Sequence, residues 1–144
     1  METAKIKPAC NQVEFHPFLY QKKLYEYCES LEIKIISFSP LARGKLKSPP
    51  YLLESPDIIE IAKSLGEKVT PAQVILNWIM QKGIPVIPRT SNLSRMAENF
   101  DSLLLQLSQS QITKIDSLNI NKRTALGWLN DQFIETIFEN DEIN

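Results

Sequence analysis

The spacing of apolar residues changes period several times along the chain, and each change marks an element. Ala9-Cys10-Asn11-Gln12-Val13-Glu14-Phe15 follows Pro8 and is closed by His16-Pro17, which predicts a short strand with unexplained polar members. From Gln21 to Leu31 the apolar positions Leu24, Tyr27, Cys28 and Leu31 fall at i, i+3, i+4 and i+7, one face of an amphipathic helix. Ile33 to Phe38 is β-branched and aromatic, and Ser39-Pro40 stops it, which predicts a second strand. Ser39 to Ser55 shows no period and carries Pro40, Gly44, Pro49 and Pro50, the signature of a long loop of the kind that often bears function.

Helix start signals dominate the rest of the chain. Ser55-Pro56 supplies an N-cap and a first-turn proline for a helix ended by Gly66. Thr70-Pro71-Ala72-Gln73 has the pattern of a capping box and opens a helix running to Gly83. Ile84 to Pro88 is a third short strand, after which Asn92 caps a helix through about Phe100, and Ser108-Gln109-Ser110-Gln111 opens another to about Leu118. Beyond Asn119 the pattern fades into apolar islands, Gly127-Trp128-Leu129, Phe133, Ile137 and Phe138, which predict a tail docked on a surface. Strand-helix alternation of this kind predicts an α/β fold of parallel β/α units, whose sites lie at the C-terminal ends of the strands.

Composition narrows the function. The 144 residues are 43% hydrophobic and 23% charged, as in an ordinary globular domain, and a net charge of -1 gives no global field for nucleic acid or an anionic membrane. Two cysteines, Cys10 and Cys28, are too few for a disulfide framework, and the N-terminal residues lack a signal peptide's apolar core, so a cytoplasmic setting is expected. Four glycines form neither G-x-G-x-x-G nor a P-loop, so a bound nucleotide would need other means.

Those means stand at the three strand ends: Asn11-Gln12, Phe38-Ser39-Pro40-Leu41, and Arg89-Thr90-Ser91-Asn92 followed by Arg95, Glu98 and Asn99. Singly, each has a plain structural account as a satisfied amide, a strand stop or a solvated helix start. Together, an amide, an aromatic face and two arginines beside a helix N-terminus are what a nicotinamide dinucleotide phosphate requires.

These segments resemble the aldo-keto reductases. Lys7-Pro8-Ala9-Cys10-Asn11-Gln12-Val13-Glu14-Phe15-His16-Pro17 is similar to that family's sixth barrel strand, Ser37-Phe38-Ser39-Pro40-Leu41 to its seventh and Val86-Ile87-Pro88-Arg89-Thr90-Ser91-Asn92 to its eighth. Thr70-Pro71-Ala72-Gln73-Val74 and Ala97-Glu98-Asn99-Phe100 match two further family signatures, and the resemblance runs from about Thr3 to Leu118. It implies the C-terminal part of a (β/α)₈ TIM barrel, three parallel β/α units with a peripheral helix, over residues 1–118, followed by a tail over 119–144.

The resemblance also implies NADP(H) as cofactor. Gln12 would hydrogen-bond the carboxamide and Phe38 would stack on the nicotinamide, where the family usually has Tyr. Ser39 and Leu41 would meet the pyrophosphate, Arg89, Thr90 and Arg95 the 2′-phosphate, and Glu98 and Asn99 the adenine. Arg89 stands where Lys is common, which keeps the charge and adds a planar fork.

The family's catalytic Asp, Tyr, Lys and His belong to the first half of the barrel and have no counterpart here. His16 follows the sixth strand and is expected to fix a loop, while Tyr20, Tyr25, Tyr27 and Tyr51 match no catalytic motif. The expectation is therefore a fragment of a reductase acting on a small aldehyde or ketone, inactive alone, with no nucleic-acid or membrane partner. The alternatives are a non-catalytic NADP-binding module and a barrel-completing interaction protein. Open sheet edges, and strand faces such as Val13, Ile36 and Val86 left without opposing strands, predict self-association.

Overall fold

A computed structural model describes residues 4–44 and 49–125, so the apolar positions Trp128, Leu129, Phe133, Ile137 and Phe138 lie outside the described residues. Three parallel strands, β1 (Cys10–Glu14), β2 (Lys34–Phe38) and β3 (Val86–Ile87), form one sheet in the order β1-β2-β3. The α/β expectation holds. Helix α1 (Lys22–Ser30) links the first two strands, and α2 (Pro56–Leu65) and α3 (Pro71–Gln81) precede the third. Helices α4 (Leu93–Asp101) and α5 (Gln109–Asp116) follow it.

Local chemistry explains most boundaries. Thr70 Oγ1 accepts from the Gln73 amide at 3.3 Å while Gln73 Oε1 accepts from the Thr70 amide at 3.0 Å, completing the capping box that starts α3. Ser108 and Gln111 do the same for α5, and Asn92 Oδ1 accepts from the Arg95 amide at 3.1 Å to cap α4. Ser55 departs from expectation: it precedes Pro56 but makes no side-chain cap bond, so α2 starts on the proline's preset φ with Asp57 in its first turn. The long loop holds one 3₁₀ turn, Leu52–Glu54.

Register assigns the strand faces. Val13 pairs with Ser37, and Ser37 with Val86, so these share one face; Gln12 pairs with Ile36, Glu14 with Phe38 and Phe38 with Ile87 on the other. Val13, Ile35 and Val86 pack with Phe15, Ile58, Ile75, Trp78, Ile79 and Ile115 into the core between sheet and helices. Only Ile36 of the three residues expected on an uncovered face is there. The period of two puts Val13 and Val86 under the helices instead. Tyr27 is likewise displaced: it is 58% exposed, and Tyr25 takes its place in the α1 stripe, with its ring centroid 6.4 Å from that of Phe15. The Tyr25 hydroxyl donates to the Lys82 carbonyl at 3.1 Å, which lets a polar tip sit on the packed side.

Trp78 is the centre of this packing. Its ring stacks on Phe15 at 5.7 Å, Tyr20 meets it edge-on at 5.6 Å, and its indole N–H donates to Asp116 of α5 at 2.8 Å. Lys82 Nζ lies 4.8 Å above the ring and 2.8 Å from Asp116. Helix α4, by contrast, buries nothing, and Leu93, Met96 and Phe100 form an exposed stripe along it.

The segment after α5 crosses the C-terminal end of β1. Phe18 O accepts from the Lys122 amide at 2.9 Å, and the Thr124 amide donates to Glu14 Oε1 at 2.7 Å, joined there by the Thr124 hydroxyl and by His16 Nε2 at 3.1 Å. Glu14, His16 and Thr124 are all buried. Burial raises the Glu14 pKa, but the hydrogen bonds from His16 and Thr124 outweigh it and hold the carboxyl below its ordinary value.

Two outcomes follow for stability. Trp78→Ala is expected to cost about 3–5 kcal/mol by urea unfolding, because it empties the ring's site and removes the indole N–H bond to Asp116. Glu14→Gln is expected to cost about 1.5–3 kcal/mol at pH 7. A lowered folded pKa stabilises above the unfolded pKa, so the parent's margin over Glu14→Gln should be constant above about pH 4.5 and shrink below it. Urea midpoints of both proteins across pH 3–7 check the sign.

Candidate functional site

Of the nine candidate residues, Gln12 lies in the middle of β1 and the other eight at or after the C-terminal ends of β2 and β3 or in the helix that follows β3. Gln12 and Phe38 share the sheet face turned away from the helices. Gln12 is exposed beside Ile36, and Phe38 is half-buried in a row running Glu14, Phe38, Ile87. The Gln12 amide makes no hydrogen bond among the described residues. An amide and an aromatic ring thus stand on the same open surface, two residues out of register across adjacent strands.

The chain leaves β2 through a tight turn. Ser39 has φ +48°, its carbonyl accepts from the Ala42 amide at 2.9 Å, and Leu41 O accepts from Gly44 N at 3.0 Å. Ala42 and Arg43 are also left-handed, at +49° and +56°. Non-glycine residues held there cost about 1–3 kcal/mol each and persist where the surroundings dictate the backbone. Leu41 packs its side chain on the core, as its half-buried contact with the apolar cluster shows, so at Leu41 the rim is offered backbone.

After β3, Thr90 Oγ1 accepts from the Asn92 amide at 3.1 Å, folding the chain into the cap of α4. Arg89 and Arg95 are exposed and pair with no carboxylate among the described residues. Two guanidinium groups thus stand at and near the start of α4. Glu98 is half-buried and its Oε1 accepts from the Thr70 hydroxyl at 2.7 Å, tying α4 to the first turn of α3. Asn99 is half-buried and its carbonyl accepts from the Ser102 hydroxyl at 2.6 Å.

The open face and the arginine segment are therefore neighbours along the sheet rim, whereas Glu98 and Asn99 sit farther along α4 and touch α3 and the following turn. A recess of about 560 Å³ between Phe18, Pro49, Pro50, Pro56 and Ile120 is lined by none of the nine. His16 does fix a loop: its backbone exchanges bonds with Leu19 and its ring holds Glu14, while its Nδ1 is buried without a partner. Tyr20 and Tyr25 are drawn to Lys82 on the helix side. Among the described residues no cluster of three metal ligands forms, and no helix is long and apolar enough to cross a membrane.

Sequence reasoning missed two participants. Glu14 anchors the segment after α5 through Thr124, a contact 110 residues apart in sequence, and its only local signal was a carboxylate placed two residues from His16. Arg43 joins the exposed arginines from the turn after β2, a segment whose lack of period gave no face to assign.

Known proteins share this arrangement. Residues 1–120 match the model of the Aldo/keto reductase family. Aldose reductase C of Dictyostelium discoideum is 46% identical over 124 residues, covering 85% of this chain and 36% of its own length. The glyoxal reductase of Bacillus subtilis is 41% identical over 125 residues, covering 87% and 42%. The structure of the aldose reductase from Schistosoma japonicum superposes with a TM-score of 0.74 at 33% identity, over 85% of this chain and 37% of that one. The chain spans about two fifths of the length of these relatives. The family model spans most of the chain, and the three-stranded parallel sheet superposes on a solved reductase. The chain belongs to the aldo/keto reductase family.

Proposed function

We propose that this chain carries the last three β/α units, strands six to eight, of a (β/α)₈ reductase barrel over residues 1–118, with a C-terminal tail over 119–144, and that it holds NADP(H) at the strand ends. The observation that carries the reading is the pairing of a free Gln12 amide and the Phe38 ring on one open face with unneutralised arginines at the adjoining rim. In this reading Gln12 holds the carboxamide, Phe38 covers one face of the nicotinamide ring, and Ser39 and Leu41 offer rim groups to the pyrophosphate. Arg89, Thr90 and Arg95 hold the 2′-phosphate, with Glu98 and Asn99 at the adenine end. When bound, the dinucleotide supplies a hydride for an aldehyde or ketone carbonyl carbon.

Reduction also needs a proton for the carbonyl oxygen. His16, Tyr20 and Tyr25 are turned elsewhere: His16 is sealed against Glu14, and Tyr20 and Tyr25 are on the helix side. The chain is then a nucleotide-holding part of a cytoplasmic reductase, and a small carbonyl compound is the substrate of the whole barrel. Self-association through the outer edges of β1 and β3 belongs to the same reading, because both edges offer unpaired backbone groups.

Incubated with NADPH and a reactive aromatic aldehyde, the chain is expected to oxidise no cofactor above a buffer control. Turnover that disappears on Gln12→Ala would mean that a proton donor exists in it. Binding is expected to favour 2′,5′-ADP over 5′-AMP, with the preference lost on Arg95→Ala. A charge-assisted contact of about 1.5–3 kcal/mol corresponds to a loss of roughly ten- to a hundred-fold. Calorimetric titration of both ligands measures it, and equal affinities in the parent would reduce the arginines to surface charges.

A further inference from the structure

We infer that two copies of this chain pair through helix α4, antiparallel, about a two-fold axis that passes between Glu98 and Asn99. The helix is amphipathic in an inverted sense. Its polar side is fastened to α3: Glu98 accepts from the Thr70 hydroxyl at 2.7 Å, and just past the helix end the Ser102 and Leu105 carbonyls both accept from Asn77 Nδ2 at 2.9 Å. Its apolar side faces outward. Leu93, Phe100 and Leu104 are 80%, 71% and 83% exposed, and Met96, Ala97 and Leu103 are exposed beside them, the last leucines carried by the 3₁₀ turn Ser102–Leu104 that continues the helix. A contiguous apolar stripe on a helix already tied to the core from behind marks an interaction surface.

The spacing selects a second copy as the occupant. Leu93, Ala97, Phe100 and Leu104 follow one another at intervals of four, three and four, a series that lies along one side of a helix. It reads the same in both directions. An antiparallel copy therefore sets Leu93 against the other copy's Leu104 and Ala97 against the other copy's Phe100, and the small side chain leaves room for the large ring twice over, by symmetry. Charge does not oppose the match. The four positions carry none, and the same reversal sets Arg95 against Ser102 and Asp101 against Met96, so no like charges meet. Five large side chains at on the order of 100 Å² of exposed surface each give about 500 Å² per copy and about 1,000 Å² per pair, the size at which specific interfaces begin.

This surface is separate from the outer edges of β1 and β3, and the pairing does not rest on the nucleotide reading. The test uses the full chain with Cys10, its exposed thiol, replaced by Ser. Under diamide oxidation, Leu93→Cys and Leu104→Cys are each expected to stay uncrosslinked alone and to form a disulfide-linked pair when mixed. Like positions cannot meet, because eleven residues at about 1.5 Å rise hold them about 16 Å apart along the axis, beyond disulfide reach. Sedimentation equilibrium is expected to give a dimer for the parent and association at least about tenfold weaker for Phe100→Glu, the loss of one central aromatic anchor. Phe100 is exposed in the single copy, so its variant is expected to keep the parent's circular dichroism and thermal transition. A monomeric parent, or association unchanged by Phe100→Glu, overturns the proposal. So does crosslinking of either single variant with itself, the mark of parallel helices, or a mixture that stays uncrosslinked, the mark of pairing through the strand edges.

Discussion

The contact on which most else depends is the stack of Trp78 on Phe15. Phe15 ends the first strand, Trp78 lies in the middle of α3, and the indole N–H reaches Asp116 in α5, so one side chain joins the sheet to two helices far apart in sequence. Lys82 above the ring satisfies Asp116 and Tyr20 together, which keeps the polar groups at the edge of this cluster paired. Because the helix side of the sheet is closed so tightly, its other side is where, among the described residues, strand side chains stay open.

That division explains why Gln12 and Phe38 stand where they do. In a two-residue period, the strands that bury Val13, Ile35 and Val86 under helices must turn Gln12, Ile36, Phe38 and Ile87 the opposite way. The amide and the ring are available for function as a by-product of the core's demands. The left-handed turn after β2 then halts the chain at the rim, and the cap of α4 halts it again one strand over.

How much of this was legible in the sequence depended on distance along the chain. The Thr70 and Ser108 capping boxes and the Asn92 cap could be read because each donor and acceptor lie three residues apart. The helical period puts Tyr27 in the stripe that Tyr25 occupies, because it does not tell which of two nearby tyrosines finds a carbonyl for its hydroxyl, and Lys82, which supplies it, is 57 residues away from Tyr25. Val13 and Ile36 were grouped together because alternation orders residues within a strand and cannot say which face of one strand matches which face of the next; pairing does. Glu14 passed unnoticed because its partner closes the chain 110 residues later.

The Thr70 hydroxyl accepts from the first turn of its own helix and donates to Glu98 of another. Opening α3 would therefore break one of the ties that hold α4, the helix that carries Arg95. The arginine segment, exposed as it is, shares a hydrogen bond with the first turn of α3, the most deeply buried helix described. In the proposed reading, grip on a phosphate at this rim would measure how intact the core is.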